Sequence, residues 1–300
     1  MRAKYLLFVL CFSTSLFSDY KFETVLSGLD DAWSLEFLSE DEIIYTEMPG
    51  KLKIANLING SITQIKNVPK VQYSSQGGLS EVVLDPDFAS NNMIYLSYSA
   101  RNSDGKSTLY LMSAVLNKDS LENKKVIFEA KAPRRIPVHL GAKIAFLDDG
   151  TILLASGDGF DHREKAQTLD NHFGKIIRIN KDGTVPSDNP FVNVENALPD
   201  IYSYGHRNQQ GLIVTKTGEI YEHEHGPRGG DEMNLIEPSL NYGWPAITYG
   251  IDYSGAVISP FTEKEGMEQP LFHWTPSIAP SDMIFYEGDK YPELKNSFLV

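Results

Sequence analysis

The chain of 300 residues holds seven histidines, and a few carboxylates and arginines near them carry most of the chemistry it could do. His139, in Pro137-Val138-His139-Leu140-Gly141, stands just ahead of an apolar strand, where a neutral imidazole can act as a general base near neutral pH. Asp158, in Ser156-Gly157-Asp158-Gly159, reads at its simplest as a turn aspartate; beside His139 it would orient the ring and stabilise its protonated form. His206-Arg207-Asn208-Gln209-Gln210 crowds donors and acceptors before Leu212-Ile213-Val214. Arg207 can neutralise an oxyanion, and Asn208 and Gln210 can bind carbonyl or carboxylate oxygens, which suits a polar planar ligand; a loop ion pair is the plainer alternative.

The densest stretch runs from Glu222 to Glu232, Glu-His-Glu-His-Gly-Pro-Arg-Gly-Gly-Asp-Glu. Strand alternation puts His223 and His225 on one face and Glu222 and Glu224 on the other. A His-x-His pair can bind zinc, but the sequence offers no evident third ligand. Calcium, a hard ion served by carboxylates and carbonyls, fits the Gly226-Pro227 turn and Asp231-Glu232 better. Asn241-Tyr242-Gly243-Trp244-Pro245 reads as a packed aromatic corner.

These residues need elements to position them, and one pattern recurs: an apolar strand, a turn rich in Asp, Asn and Gly, and a second strand rich in Ile, Leu and Tyr. Copies begin at Ser34, Glu81, Lys143, Gly211 and Ser281, spaced by 47, 62, 68 and 70 residues, room for a four-stranded antiparallel sheet each time. Such repetition without long helices predicts an all-β propeller. A gapless offset of 68 carries His139 onto Arg207 and Gly157-Asp158 onto His225-Gly226, and Gln76 falls within about one residue of the same place in the copy before. Gln76, His139, Asp158, Arg207 and His225 should therefore converge at one end of a central channel.

Lys and Arg total 27 against 40 Asp and Glu, a formal net charge of −13, and no stretch is strongly basic, which argues against a nucleic-acid partner. Residues 1–18 place Arg2 and Lys4 before a short apolar run and read as a cleavable export signal; no later run is long enough for a membrane span. Cys11 lies in that leader, so a disulfide framework is excluded from residues 19–300, a single propeller domain expected in the periplasm or outside the cell. The last copy ends at Leu299-Val300 inside an apolar strand, and the expectation is a propeller lacking most of its last blade.

The motifs together resemble the soluble quinoprotein glucose dehydrogenases and aldose sugar dehydrogenases. The resemblance rests on Trp33-Ser34, the run from Tyr45 to Gly50, Gln76-Gly77-Gly78-Leu79, His139 with its glycine, Asn171 to Lys175, Ser203 to Asn208, the Glu222 to Glu232 stretch and Asn241 to Pro245. It implies a six-bladed β-propeller of four-stranded antiparallel sheets using pyrroloquinoline quinone and calcium to oxidise the C1 hydroxyl of an aldose to the lactone, with electrons passing to an external acceptor. His139 would be the base, Asp158 its helper and Arg207 the stabiliser of charge on the quinone. Asn208, Gln210 and His225 would bind the cofactor with Arg207, while Gln76 and Trp274 would contact the sugar. Calcium ligands would come from Gly226 and Pro227, and Glu232 and Tyr242 would match a second calcium site.

Three positions depart from the family pattern: Gln209 replaces a proline, His225 stands where some members have glutamine, and Val138 replaces the aspartate of the glucose enzymes. The last favours a loose aldose preference. The family's basic clamp for the cofactor carboxylates would follow Val300, so the 300 residues are expected to bind quinone weakly and show little activity. A calcium-dependent propeller lactonase, and a propeller that only binds sugar, remain open at this level, as does oligomeric assembly.

Overall fold

The computed structural model describes residue 21 and residues 23–300, so the leader reading of residues 1–18 lies outside the described residues. Four antiparallel sheets follow one another as simple meanders. The first holds β1 (Ala32–Phe37), β2 (Glu42–Glu47), β3 (Lys51–Asn56) and β4 (Ile62–Gln64), and the second β5 (Leu79–Leu84), β6 (Met93–Arg101), β7 (Ser107–Asn117) and β8 (Ser120–Glu129). The third holds β9 (Gly141–Phe146), β10 (Ile152–Ser156), β11 (Lys175–Ile179) and β12 (Ile201–Tyr204), and the fourth β13 (Gln209–Val214), β14 (Ile220–Glu224), β15 (Asp231–Ile236) and β16 (Phe272–Trp274). A hairpin of β17 (Ile284–Tyr286) and β18 (Ser297–Leu299) follows. Each repeat read in the sequence is the first strand pair of one sheet.

The first strands β1, β5, β9 and β13 stand side by side, so the sheets are propeller blades with these strands innermost. Second strands such as β10 (Ile-Leu-Leu-Ala-Ser) are buried along their whole length, because a neighbouring blade covers each face. Three cores fill the spaces between successive blades: Ile44, Leu79 and Leu96 between the first and second, Leu111, Ile144 and Ile177 between the second and third, Ile176, Leu212 and Ile236 between the third and fourth. The inner strands also carry a buried ion pair, Lys143 to Glu81 at 2.8 Å, with Asp282 at 3.1 Å from the same ammonium.

The repeat is exact in its hydrogen bonds. Gly150 N–H to Leu147 O (2.8 Å) and Gly218 N–H to Thr215 O (2.9 Å) close the same turn 68 residues apart. In the first pair of every blade the register shifts at one end, between Ala32 and Leu35, Leu79 and Val82, Leu154 and Ser156, and Gln209 and Gly211. Such bulges bend a strand and re-aim the residues beside it. All four fall next to the loops that hold the candidate chemistry. Among the described residues no helix is long and apolar enough to cross a membrane.

Candidate active site

His139 and Asp158, 19 residues apart, meet in a buried pair, with Nδ1 of the imidazole 2.7 Å from Oδ1 of the carboxylate. Asp158 is 1% exposed. The indole Nε1–H of Trp244 donates to Oδ2 at 2.7 Å and the main-chain N–H of Phe160 to Oδ1 at 2.8 Å, so both carboxylate oxygens are engaged. Burial alone would raise the Asp158 pKa, but the bond to His139 and the Arg207 charge hold it below the usual range. Burial lowers that of His139, against Asp158, and the Arg207 and Arg134 cations lower it further. The ring is thus a neutral base at neutral pH, its Nδ1 fixed on Asp158 and its Nε2 left for a substrate.

The histidine backbone is gripped as firmly as its ring. His139 has φ +44°, a left-handed conformation uncommon for a side-chain-bearing residue. Its N–H donates to Oε1 of Gln76 at 2.8 Å, and its carbonyl accepts from Nη1 of buried Arg134 at 2.7 Å. Gly157 lies directly beneath: a Cβ there would sit 2.3 Å from the His139 carbonyl oxygen, so only glycine fits.

Arg207 enters from the equivalent loop of the fourth blade. Its carbonyl accepts the Asp158 N–H at 2.7 Å, its N–H donates to Oε2 of Glu224 at 2.7 Å, and its guanidinium packs on Trp244 at 5.2 Å. Nη1 donates to the carbonyls of His225 (2.8 Å) and Gly226 (2.6 Å), while Nε is buried with no partner among the described residues. That orphaned donor suits an oxygen of a bound ligand.

Two clefts open here. One, of about 360 Å³, has His139, Asp158 and Arg207 in its wall together with Phe160, Pro227 and Tyr253. Phe160 meets the His139 ring edge-on at 5.2 Å and stacks with Tyr253 at 6.5 Å, an aromatic flank beside the base. The other, of about 400 Å³, is lined by Trp33, Gln76, Asn208, Gln210 and His225, with small Gly141 and Ala142 leaving room for a flat ligand.

Gln76 belongs to this second cleft, and its carbonyl oxygen is occupied by the His139 amide. Trp274, on the outermost strand of its blade, lines neither cleft; its indole meets Phe272 edge-on at 5.1 Å. Alternation holds in β14, and His223 and His225 face separate neighbours: His225 Nε2 pairs with the Pro280 carbonyl at 2.8 Å, and His223 lies over Gly211. Glu232 pairs across the sheet with Glu224 and His273. The Tyr242 hydroxyl accepts from Glu237 N–H at 2.8 Å and donates to Leu235 O at 2.7 Å, which leaves its main-chain carbonyl for any cation.

Three contributors escape the sequence reading. Trp244, a packing residue on its sequence alone, donates to Asp158; Arg134 and Glu224 hold the backbones of His139 and Arg207. No local motif marks Arg134, whereas the alternation of β14 already separates Glu224 from the histidines.

The family model for Glucose / Sorbosone dehydrogenase matches residues 29–300. An aldose sugar dehydrogenase of Escherichia coli K12 is 35% identical over 302 residues, spanning 97% of this chain and 81% of that protein. A crystal structure of a glucose dehydrogenase superposes with a TM-score of 0.89 at 40% identity, covering 92% of this chain and 81% of the other. The structure of the PQQ-bound form of an aldose sugar dehydrogenase from Streptomyces coelicolor gives 0.71 at 26% identity, covering 89% and 75%. The blades, their order and the match along almost all described residues lead to one assignment: the chain belongs to the glucose/sorbosone dehydrogenase family of oxidoreductases.

Proposed function

We propose that the protein oxidises the C1 hydroxyl of aldose sugars to the lactone with pyrroloquinoline quinone as cofactor, in the periplasm or outside the cell, and passes the electrons to an external acceptor. The observation that carries this reading is the His139–Asp158 pair with Nε2 facing a cleft beside a cation, Arg207, that keeps an unpartnered Nε. The cofactor is a flat, anionic quinone, and Arg207, Asn208, Gln210 and His225 around the small-residue floor of Gly141 and Ala142 fit such a group. When bound, the quinone supplies a two-electron acceptor for the hydride leaving C1.

The residues of the chain do the rest. Nε2 of His139 removes the proton of the C1 hydroxyl as the C1–H bond breaks, and Asp158 stabilises the imidazolium that forms. Arg207, whose backbone is held by Glu224 and whose guanidinium packs on Trp244, would meet negative charge developing on the acceptor side. Phe160 and Tyr253 offer a sugar an apolar flank and exclude water from the base. Calcium at the Gly226 and Pro227 carbonyls is part of the proposal, and it requires Arg207 to share or leave the Gly226 oxygen that it now holds.

The test is reduction of a redox dye by aldoses with the purified protein, with quinone and calcium added together and separately. The proposal expects activity only with the quinone present. Lactone hydrolysis, or dye reduction in its absence, would overturn it.

A further inference from the structure

A buried carboxylate to which sugar oxidation gives no task stands beside the two clefts. Asp231 opens β15 and is 0% exposed. Its Oδ1 accepts the main-chain N–H of Gly226 at 2.9 Å. Its Oδ2 accepts three donors from the loop after β16: Ser277 Oγ–H at 2.6 Å and the N–H groups of Ile278 and Ala279 at 2.8 Å each. Four donors match the roughly four lone-pair sites of a carboxylate, and bonds to such an acceptor are about twice as strong as those between neutral groups.

The segments joined in this way meet at the clefts. His225 lines the cleft of about 400 Å³ and Pro227 the cleft of about 360 Å³, so the turn that carries them stands between the two. That turn is closed underneath, where a Cβ on Gly226 would sit 2.2 Å from the Gly230 carbonyl oxygen. The loop after β16 returns to the same turn through Pro280, whose carbonyl pairs with His225 Nε2 at 2.8 Å. It leaves from a strand in register with Asp231, which pairs across the sheet with Trp274. Residues 275–279 are nevertheless exposed, and Ala279 has φ +50°, in the left-handed region. Exposed loops are ordinarily the loosest parts of a fold, whereas this one ends on a single buried carboxylate.

We propose that Asp231 is a positioning residue that fastens the Gly226-Pro227 turn to the loop 277–280, so that His225 and the Gly226 and Pro227 carbonyls meet the cofactor as one rigid unit. The role rests on the quinone and calcium reading of the clefts. Both Asp231 oxygens are engaged by donors of the chain itself, so the residue acts through the backbone it holds. Removing the carboxylate strands the N–H groups of Gly226, Ile278 and Ala279 without an acceptor, and turn and loop come apart. An amide divides the two halves of the link. With its carbonyl oxygen toward Ser277, Ile278 and Ala279, asparagine keeps three of the four bonds, and its NH2 faces the Gly226 N–H, donor against donor. Asp231→Asn therefore frees the turn alone, while Asp231→Ala frees both segments.

The test reads amide hydrogen exchange on the full chain without cofactor, then pyrroloquinoline quinone affinity by fluorescence quenching in the presence of calcium. In the wild type the amides of Gly226, Ile278 and Ala279 should exchange slowly and open together. Only Gly226 should speed up in Asp231→Asn, and all three in Asp231→Ala. Both variants should bind quinone about 10- to 100-fold more weakly, the scale for losing an outer support, while at saturating quinone the sugar KM and the acid limb of the pH profile stay put. Arg178→Met breaks ion pairs to Asp149 and Asp188 on a strand that lines neither cleft, and as a control for lost stability it should leave quinone affinity unchanged. If neither Asp231 variant folds, the wild-type exchange still decides. Fast or unrelated exchange of the three amides, wild-type affinity in both variants, or an equal loss in Arg178→Met would overturn the proposal. A wild type that binds no quinone yet shows the joint exchange would overturn the cofactor reading and leave the Asp231 link supported.

Discussion

Asp158→Asn tests the active-site reading most directly, because the carboxylate has two oxygens with incompatible demands on an amide. If the new carbonyl oxygen keeps His139 and Phe160, the NH2 faces the Trp244 indole N–H, donor against donor. If the amide turns over, its NH2 faces His139 Nδ1, which must then be an acceptor, and the proton moves to Nε2, where it abolishes the base. Either way the negative charge opposite the developing imidazolium is lost. With charge centres about 4 Å apart and an effective dielectric near 20, that attraction is about 4 kcal/mol, close to a thousandfold in rate. Turnover in the dye assay should fall by roughly 100- to 1000-fold with the sugar KM little changed. Asp158 opposes the burial that lowers the His139 pKa, so its removal lowers that pKa further. The acid limb of the kcat/KM profile should accordingly move to lower pH. A loss under about threefold, or a limb displaced to higher pH, would refute the reasoning.

Further expectations follow from other contacts. Trp244→Phe deletes the Nε1–H donor but keeps a ring beneath Arg207, so kcat should fall about 10-fold with KM less affected, read by steady-state kinetics. Gly157→Ala drives a methyl into the His139 carbonyl and should cost more than about 2 kcal/mol, seen as a lower denaturant midpoint. Lys143→Met strips the cation from buried Glu81 and should cost about 3–5 kcal/mol by the same measurement. Burial, with Glu81 and Asp282 adding and Lys143 opposing, pushes the Glu36 carboxyl up to about 7. The folded state therefore holds that proton longer than the unfolded chain, and stability falls as pH rises from about 4.5 through 7. Glu36→Gln should melt higher than wild type above pH 7, by an amount equivalent to about 1–3 kcal/mol, and nearly together with it near pH 4.

The blade pattern was legible because the second strands bury both faces and the strand pairs close on turns of one chemistry, so Ile152 to Ala155 and Ile220 to Glu224 announce themselves without structure. The 68-residue offset reached further. It paired Gly157 with His225 and Leu140 with Asn208, and the structure makes the same main-chain bond in both places, Gly157 N–H to Leu140 O and His225 N–H to Asn208 O. What repetition cannot carry is anything present in one copy alone. Arg134 and Trp244 have no counterpart 68 residues away with the same task, and both reach their partners across long, irregular loops. Phe160 and Tyr253 likewise meet only through tertiary folding, 93 positions apart in the chain.

The grip on His139 sets rules for anyone redesigning this protein. Its amide is held by Gln76 from the loop ahead of β5, its carbonyl by Arg134 and its underside by Gly157, so the base is shared property of two blades and cannot be moved as a cassette. A loop grafted from a relative to change sugar preference would have to bring matching partners at all three points, or the left-handed turn at His139 would relax and Nε2 would swing away from the cleft. The side chains of the aromatic flank are under no such bond among the described residues, and only the Phe160 main-chain N–H is tied to the pair, through Asp158. Phe160 and Tyr253 are 49% and 59% exposed, which makes those two positions the natural starting library for altering substrate scope while the catalytic frame stays untouched.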